Sequence, residues 1–147
     1  MAAYRAPHMT GSDRERLGPG DAGSAKSRAC QLQVTAALAN GDTITGPTIP
    51  AGAVLLDVYV SMSKLDTNGA PALAYTLGTA ANPAGLITAA GGVAGRNGGV
   101  DRANAPAAVP VLYAADTPLV LTVTAGPATG ATTGVVSVVA TYYPRFN

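Results

Sequence analysis

VLLDVYVSMSK, residues 54–64, is the stretch that decides the fold class. Apolar and polar side chains alternate along it, and side chains two positions apart share one face of a β-strand. The pattern predicts a half-buried strand. Its expected inward face consists of Val54, Leu56, Val58, Val60 and Met62, and its expected outward face of Asp57, Tyr59, Ser61 and Ser63.

A turn-forming sequence, Asp66-Thr67-Asn68-Gly69, follows this strand. Asn-Gly readily takes the positive φ angles of a type I′ turn, so the sequence predicts a hairpin whose returning strand holds Leu73, Tyr75 and Leu77. The alternative is the opening of a calcium loop. We favour the hairpin because no acidic residue follows at the position where it would close such a loop.

Short alternating runs lie on both sides of this hairpin, and Gly, Pro and Asn separate them. The expected strands cover residues 32–38, 85–89, 109–114, 119–124 and 135–143, with Leu121 and Val123 inward. Residues 91–105 are rich in Gly, Ala and Asn and are predicted to form a long surface loop. Seven or eight short strands with almost no helical pattern indicate an all-β fold, a β-sandwich or jelly roll. An up-and-down barrel is the alternative.

The first 30 residues differ from the remainder. They hold eight of the 17 charged residues, several Gly and Pro, and few large apolar side chains. Such a segment has little to bury, so we predict an extended N-terminal arm over residues 1–30. Residues 31–147 are then one β-sandwich domain, large enough to fold without a metal or disulfide.

Composition indicates a protein that assembles with other proteins. Hydrophobic residues make up 48% of the chain and charged residues 12%, about half the usual charged share. Low surface charge favours packed assembly, including self-association. The net charge of +1 lacks the cationic excess expected of a nucleic-acid binder. Residues 117–144 are uncharged, but Gly and Pro interrupt them, so no membrane span is expected. The start of the sequence lacks a secretory pattern, which predicts synthesis in the cytoplasm.

The residues that most often carry catalysis are scarce. His8, Glu15 and Cys30 are the only residues of their types, and all three fall in the predicted arm. A Gly/Pro-rich segment holds a catalytic group poorly, so we expect no enzyme activity. The glycine-rich run 91–99 lacks the Lys-Ser or Lys-Thr of a phosphate loop. No cofactor, metal or small-molecule substrate is therefore expected.

Candidate interface residues combine cations, aromatics and one isolated acid. Asp57 is a charge in mid-strand, typical of a solvent-facing residue or of a salt bridge to a neighbouring subunit. The C-terminal aromatic and cationic cluster is either the end of a core strand or an interface anchor. The candidates for protein contact are Tyr4, Arg5, Arg14, Arg16, Arg28, Asp57, Arg96, Arg102, Tyr143, Arg145 and Phe146.

Three stretches together resemble a known family. They are residues 49–58 (IPAGAVLLDV), 65–69 (LDTNG) and 77–80 (LGTA). The pattern, spread over about residues 32–143, is similar to the small head decoration, or cement, proteins of tailed bacteriophages. The resemblance implies a jelly-roll-like domain on the capsid exterior that clamps neighbouring capsomers, with an arm reaching over the shell. Its implied partners are the major capsid protein and further copies of itself.

Two other functions remain open. Related β-modules occur in phage tails, necks and fibres, so the chain is alternatively a component there that binds virion proteins or a host surface glycan. A third possibility is a carbohydrate-binding module outside any virion.

Overall fold

A computed structural model describes residues 3–5, by their backbone, and residues 24–144. This part of the chain contains nine strands and a short 3₁₀ helix over Ala94–Arg96. The strands are β1 (Ala3–Arg5), β2 (Lys26–Val34), β3 (Thr43–Ile49), β4 (Val54–Met62), β5 (Ala74–Gly78), β6 (Gly99–Arg102), β7 (Val111–Leu112), β8 (Thr117–Ala125) and β9 (Gly134–Tyr143). Among the described residues, no helix has the length and apolar character needed to cross a membrane.

The strands form two sheets. Sheet A has the order β1-β3-β8-β5, and sheet B has the order β2-β9-β4-β6, with β7 also paired to β4. Strands β2 to β5 alternate between the sheets, and early strands pair with late ones, β2 with β9 and β3 with β8. This connectivity is that of a jelly roll. The predicted all-β sandwich is confirmed.

The core lies between the two sheets and is continuous. Its fully buried side chains include Tyr75 and Leu77 of β5, Leu121 of β8 and Tyr142 of β9. Burying each large apolar side chain contributes about 1.5–3 kcal/mol. Leu121 and Val123 point inward as predicted, because β8 alternates without interruption across its central residues.

Strand β4 departs from the predicted alternation at its start. A β-bulge falls between Leu55 and Asp57 where β4 pairs with β9. The extra residue of a bulge shifts the alternation. Leu55 is therefore the buried residue, and Val54 and Leu56, predicted to be inward, are half-buried. From Val58 onward the predicted faces are correct.

The predicted hairpin after β4 is wrong. Strand β4 lies in sheet B and β5 in sheet A, so residues 63–73 cross from one sheet to the other. Gly69 does not have a positive φ angle. The returning strand exists, but it pairs with β8, because pairing with a distant strand prevails over the local turn preference.

The predicted surface loop at residues 91–105 is also wrong. Its first part forms the 3₁₀ helix, and its second part forms β6, which pairs with residues 59–62 of β4. The Asp101 carboxylate fixes both. It accepts hydrogen bonds from the Tyr75 hydroxyl at 2.5 Å and from the backbone N–H groups of Val93 and Ala94 at 2.7 and 2.6 Å.

The domain begins before the predicted boundary at residue 30. Strand β2 starts at Lys26 and pairs with β9 from its first residue, and Cys30 is buried. Residues 26–30 therefore belong to the domain rather than to the arm. Within the predicted arm, β1 pairs in parallel with residues 43–45 of β3. The extended arm remains a prediction.

Candidate protein-binding site

Two carboxylates, the buried Asp66 and the half-buried Asp101, hold loops in place. Asp66 is 0% exposed and accepts five backbone N–H groups. The donors are Asn68, Ala72, Leu73, Ala128 and Thr129. Burial raises the pKa of Asp66, but the backbone hydrogen bonds, first those of Ala128 and Thr129, outweigh burial and hold the pKa well below its usual range.

The buried Tyr75 and the half-buried Asp101 form the second polar group. Burial first, then the hydrogen bond to Asp101 and the charge of that carboxylate, raise the pKa of the Tyr75 hydroxyl far above its usual value. The phenol therefore stays protonated and donates. Asp66 therefore joins the crossover segment, residues 63–73, to residues 128–129. Asp101 holds the start of the 3₁₀ helix through the N–H groups of Val93 and Ala94.

The remaining reactive groups of the described residues do not converge. No three His, Cys, Asp or Glu side chains within residues 24–144 are placed to hold a metal ion. Burial raises the pKa of the Cys30 thiol, which contacts the Thr45 carbonyl at 3.4 Å. His8 and Glu15 lie outside the described residues.

A small cavity lies at one end of the sandwich. It has a volume of about 200 Å³, and its walls include Thr79, Asn82, Leu86 and Tyr113. Ligand sites are typically about 300–1,000 Å³ with a few convergent polar groups. This cavity is smaller than that range, and no charged side chain lines it.

The outer face of sheet B is the surface best suited to protein contact. It carries the three large hydrophobic side chains that are exposed in the described part of the chain: Leu112 at 64%, Val100 at 55% and Tyr143 at 42%. Leu112 and Tyr143 both lie in register with Val54, so these three form one apolar row across β7, β4 and β9. Exposed apolar clusters of this kind mark interaction surfaces.

A charged and aromatic group lies beside this apolar row. Arg102 donates from Nη1 to Asp57 Oδ2 at 2.6 Å, and its guanidinium lies 5.6 Å from the centre of the Tyr59 ring. Both charged side chains remain accessible, at 67% for Arg102 and 42% for Asp57. Asp57, predicted to be solvent-facing or paired with a neighbouring subunit, thus has a partner within its own chain. On the outward positions of sheet B, these two are the only charged side chains that the structure describes.

Strands β3, β8 and β5 form an uncharged part of the outer face of sheet A. Thr43, Thr122 and Thr76 lie side by side across β3, β8 and β5. None of these three strands contains a charged residue. The face offers hydroxyl groups and methyl groups, but it lacks the exposed aromatic and large aliphatic side chains of sheet B.

The predicted interface residues fall in different places. Arg102, Asp57 and Tyr143 come together on the outer face of sheet B. Arg96 turns inward, where its Nε donates to the Leu73 carbonyl at 2.7 Å. Arg28 is half-buried and lies on the inward side of β2. Tyr4 and Arg5 are in β1, and Arg14, Arg16, Arg145 and Phe146 lie outside the described residues.

Four further residues belong to this face and were not predicted as interface residues: Val54, Tyr59, Val100 and Leu112. Val100 and Leu112 stand in Gly- and Ala-rich segments and reach the face only because β6 and β7 pair with β4. Tyr59 did have a signal, since it stands on the predicted outward side of β4.

The described residues form a two-sheet jelly roll, and the outer face of sheet B presents exposed apolar side chains beside the pair of Asp57 and Arg102. Solved structures that are similar to the chain include two of phage capsids. A chain of the "Capsid of Ralstonia phage GP4" is 27% identical, with a TM-score of 0.81, over 99% of this chain and 100% of that chain. A chain of the "Cyanophage Pam1 capsid asymmetric unit" is 26% identical, with a TM-score of 0.71, over 93% of this chain and 99% of that chain.

No protein-family model matches the sequence, and a search of curated proteins found no match. The two structural neighbours are chains of phage capsids. Their likeness supports a structural protein of a phage virion.

Proposed function

We propose that this chain is a capsid decoration protein, which binds the outside of a tailed-phage head as a homo-oligomer and stabilises contacts between capsomers. The observation that carries the proposal is the end-to-end similarity to a chain of a phage capsid, 99% of this chain on 100% of that one. Because the similarity covers nearly the whole of both chains, the Ralstonia phage GP4 capsid chain is a protein of about the same size and fold. A module of that size suits attachment to a shell that another protein builds.

The outer face of sheet B supports this proposal. An apolar row with an adjacent Arg–Tyr–Asp group is the composition expected at the centre of a protein interface, where aromatic residues and Arg are enriched. Decoration also needs no catalysis. Many modest contacts on a repeating lattice give strong total attachment when the copies are linked.

The test is co-sedimentation of the purified full-length chain with capsids assembled without it. We expect saturable binding at a fixed ratio to the major capsid protein. The matched variants are Leu112→Ser/Tyr143→Ser on sheet B and Thr124→Ser/Thr132→Ser, which are exposed elsewhere. The sheet B pair should weaken binding at least tenfold, and the threonine pair should leave binding within twofold.

A chain lacking residues 1–23 tests the predicted arm and spares β2. Binding weakened at least tenfold, with a cooperative unfolding transition retained after the loss of β1, would support an arm that docks on the shell. Absence of binding by the full-length chain would overturn the decoration proposal. Labelling of the chain at the tail end of the virion would instead support the tail, neck or fibre alternative.

A further inference from the structure

Strand β2 forms an open edge of sheet B. Its nine residues pair with β9 on one side, and no strand lies on the other side in the part of the chain that the structure describes. In an edge strand, half of the backbone N–H and C=O groups point away from the sheet and can bond a further strand.

The other sheet edges are protected in ways that β2 is not. Strand β6 has four residues and includes Asp101 and Arg102. Strand β5 is bridged by Ile87, and β1 is three residues long. Short length, charge and covering segments are the devices by which proteins prevent edge-to-edge pairing.

Strand β2 is longer than these strands, and its two charges stand only at its N-terminal end. It contains no proline, and its register with β9 runs without a bulge from Lys26 to Val34. By contrast, bulges or register shifts interrupt the β3–β8, β4–β9 and β5–β8 pairs. A long, straight edge of this kind is a template for another strand.

The side chains of β2 indicate which strand would fit. On the outward side of the sheet, the exposed residues are all small or neutral: Ser27, Ala29, Gln31 and Gln33. Both charges, Lys26 and Arg28, are cationic and stand at the N-terminal end. Parallel pairing of two copies would place like charges together, whereas antiparallel pairing places each cationic end beside the neutral end of its partner.

We propose that two copies of this chain pair antiparallel through β2 across a twofold axis, so that their B sheets join into one continuous sheet. An edge with charge at one end is complementary to itself in this arrangement, as a twofold interface requires. The inference rests on the self-association in the proposed function and names the surface responsible. It also brings two outer faces of sheet B side by side, which doubles the number of capsid contacts per particle.

The first measurement combines sedimentation equilibrium with amide hydrogen exchange by NMR on the full-length chain. We expect a monomer–dimer equilibrium, with every internal amide of β2 protected in the dimer. On dilution, alternate amides should lose protection, because only those facing β9 stay bonded. A chain that is monomeric at all concentrations would overturn the inference. Full protection of β2 in a monomer would also overturn it, since another segment of the chain would then cover the edge.

Variants test the surface directly. Ala29→Lys/Gln31→Lys adds like charges at the centre of the proposed seam and changes exposed side chains only. We expect the dimer dissociation constant to rise at least tenfold, with an unchanged unfolding transition. The control, Thr124→Lys/Thr132→Lys, adds the same charge elsewhere and should change the constant less than twofold. Equal effects of the two pairs would contradict the proposed seam.

The two proposals fail separately. A monomer that binds capsids at a fixed ratio would overturn β2 pairing and leave decoration in place. A β2-paired dimer without affinity for capsids would overturn the decoration proposal and leave β2 pairing in place.

Discussion

Replacing Asp66 with asparagine should strongly destabilise the domain. The carboxylate is fully buried and joins two loops far apart in sequence. Its Oδ2 accepts the N–H groups of Ala72, Leu73 and Ala128, and its Oδ1 accepts those of Asn68 and Thr129. An asparagine side chain has nearly the same shape, so the substitution changes the hydrogen bonding and leaves no cavity.

The expected loss of stability follows from the number of backbone N–H groups that lose their acceptor. Asparagine keeps one oxygen, and the best orientation directs it at the three N–H groups now bonded to Oδ2. The other two N–H groups then face an NH₂ group. Each buried donor without an acceptor costs about 1–3 kcal/mol, so we expect a loss of about 2–6 kcal/mol. Domains of this kind have about 5–15 kcal/mol in total, so the loss is a large part of the stability.

The pH dependence has a defined sign. The pKa of Asp66 is lower in the folded chain than in the unfolded chain. The contribution of Asp66 to the free energy of unfolding is therefore complete above its pKa in the unfolded chain, about 4. As the pH falls below 4 towards the folded pKa, the wild-type chain loses this contribution, and the asparagine variant has no such group to titrate. The difference between the two proteins should therefore shrink only in acid.

Urea unfolding at pH 7 and at successive values below pH 4 measures this difference. Asp116→Asn is the matched control, because Asp116 is exposed and accepts a single N–H, that of Ala51 at 2.8 Å. The control should lose less than about 1 kcal/mol. A loss of that size for Asp66→Asn, or a difference that stays constant into acid, would refute the reasoning.

Three further predictions concern the core and its loops. Asp101→Ala should cost about 2–4 kcal/mol in urea unfolding, because the Tyr75 hydroxyl and the N–H groups of Val93 and Ala94 lose Oδ2, their shared acceptor, whereas Tyr75→Phe should cost less. Gly92→Ala should cost about 1–3 kcal/mol, since a Cβ would lie 2.0 Å from the Tyr75 carbonyl oxygen; Gly69→Ala, with nothing within 4 Å, should be neutral within about 0.5 kcal/mol in the same assay. Cys30 should resist a thiol reagent in the folded chain and react fully in urea, because burial raises its pKa.

Local patterns predicted the strands but not their partners. Strands β8 and β9 alternate cleanly, and the structure has them where the sequence indicated. The β4 bulge left no trace in the sequence, because it arises where two strands meet. The expected turn at Asp66 failed for the same reason: the carboxylate binds Ala128 and Thr129, 62 and 63 residues away.

On the outer face of sheet B, too, some residues could be predicted from their type and others only from the pairing of strands. Tyr143 and Asp57 stood out by residue type, and the structure places both on the outer face of sheet B. Val100 and Leu112 are ordinary apolar residues in Gly- and Ala-rich segments. They become part of a surface only when β6 and β7 pair with β4.

The placement of charge leads to a last prediction, on salt. Asp66, Asp101 and Arg96 all bond to backbone groups of the domain itself, and the charges described on the outward positions of sheet B are one ion pair, Asp57 with Arg102. Because that pair is closed within the chain, attachment through this face should depend on apolar contacts and neutral hydrogen bonds, which salt screens little. The first 23 residues, in contrast, carry six charged side chains. Capsid binding by the chain lacking residues 1–23 should change less than twofold between 0.05 and 0.5 M salt, at about the ionic strengths over which exposed charges become screened. Any strong salt dependence should be confined to the full-length chain. If the truncated chain also loses binding in salt, the pair of Asp57 and Arg102 carries the contact, and the neutral-face argument is wrong.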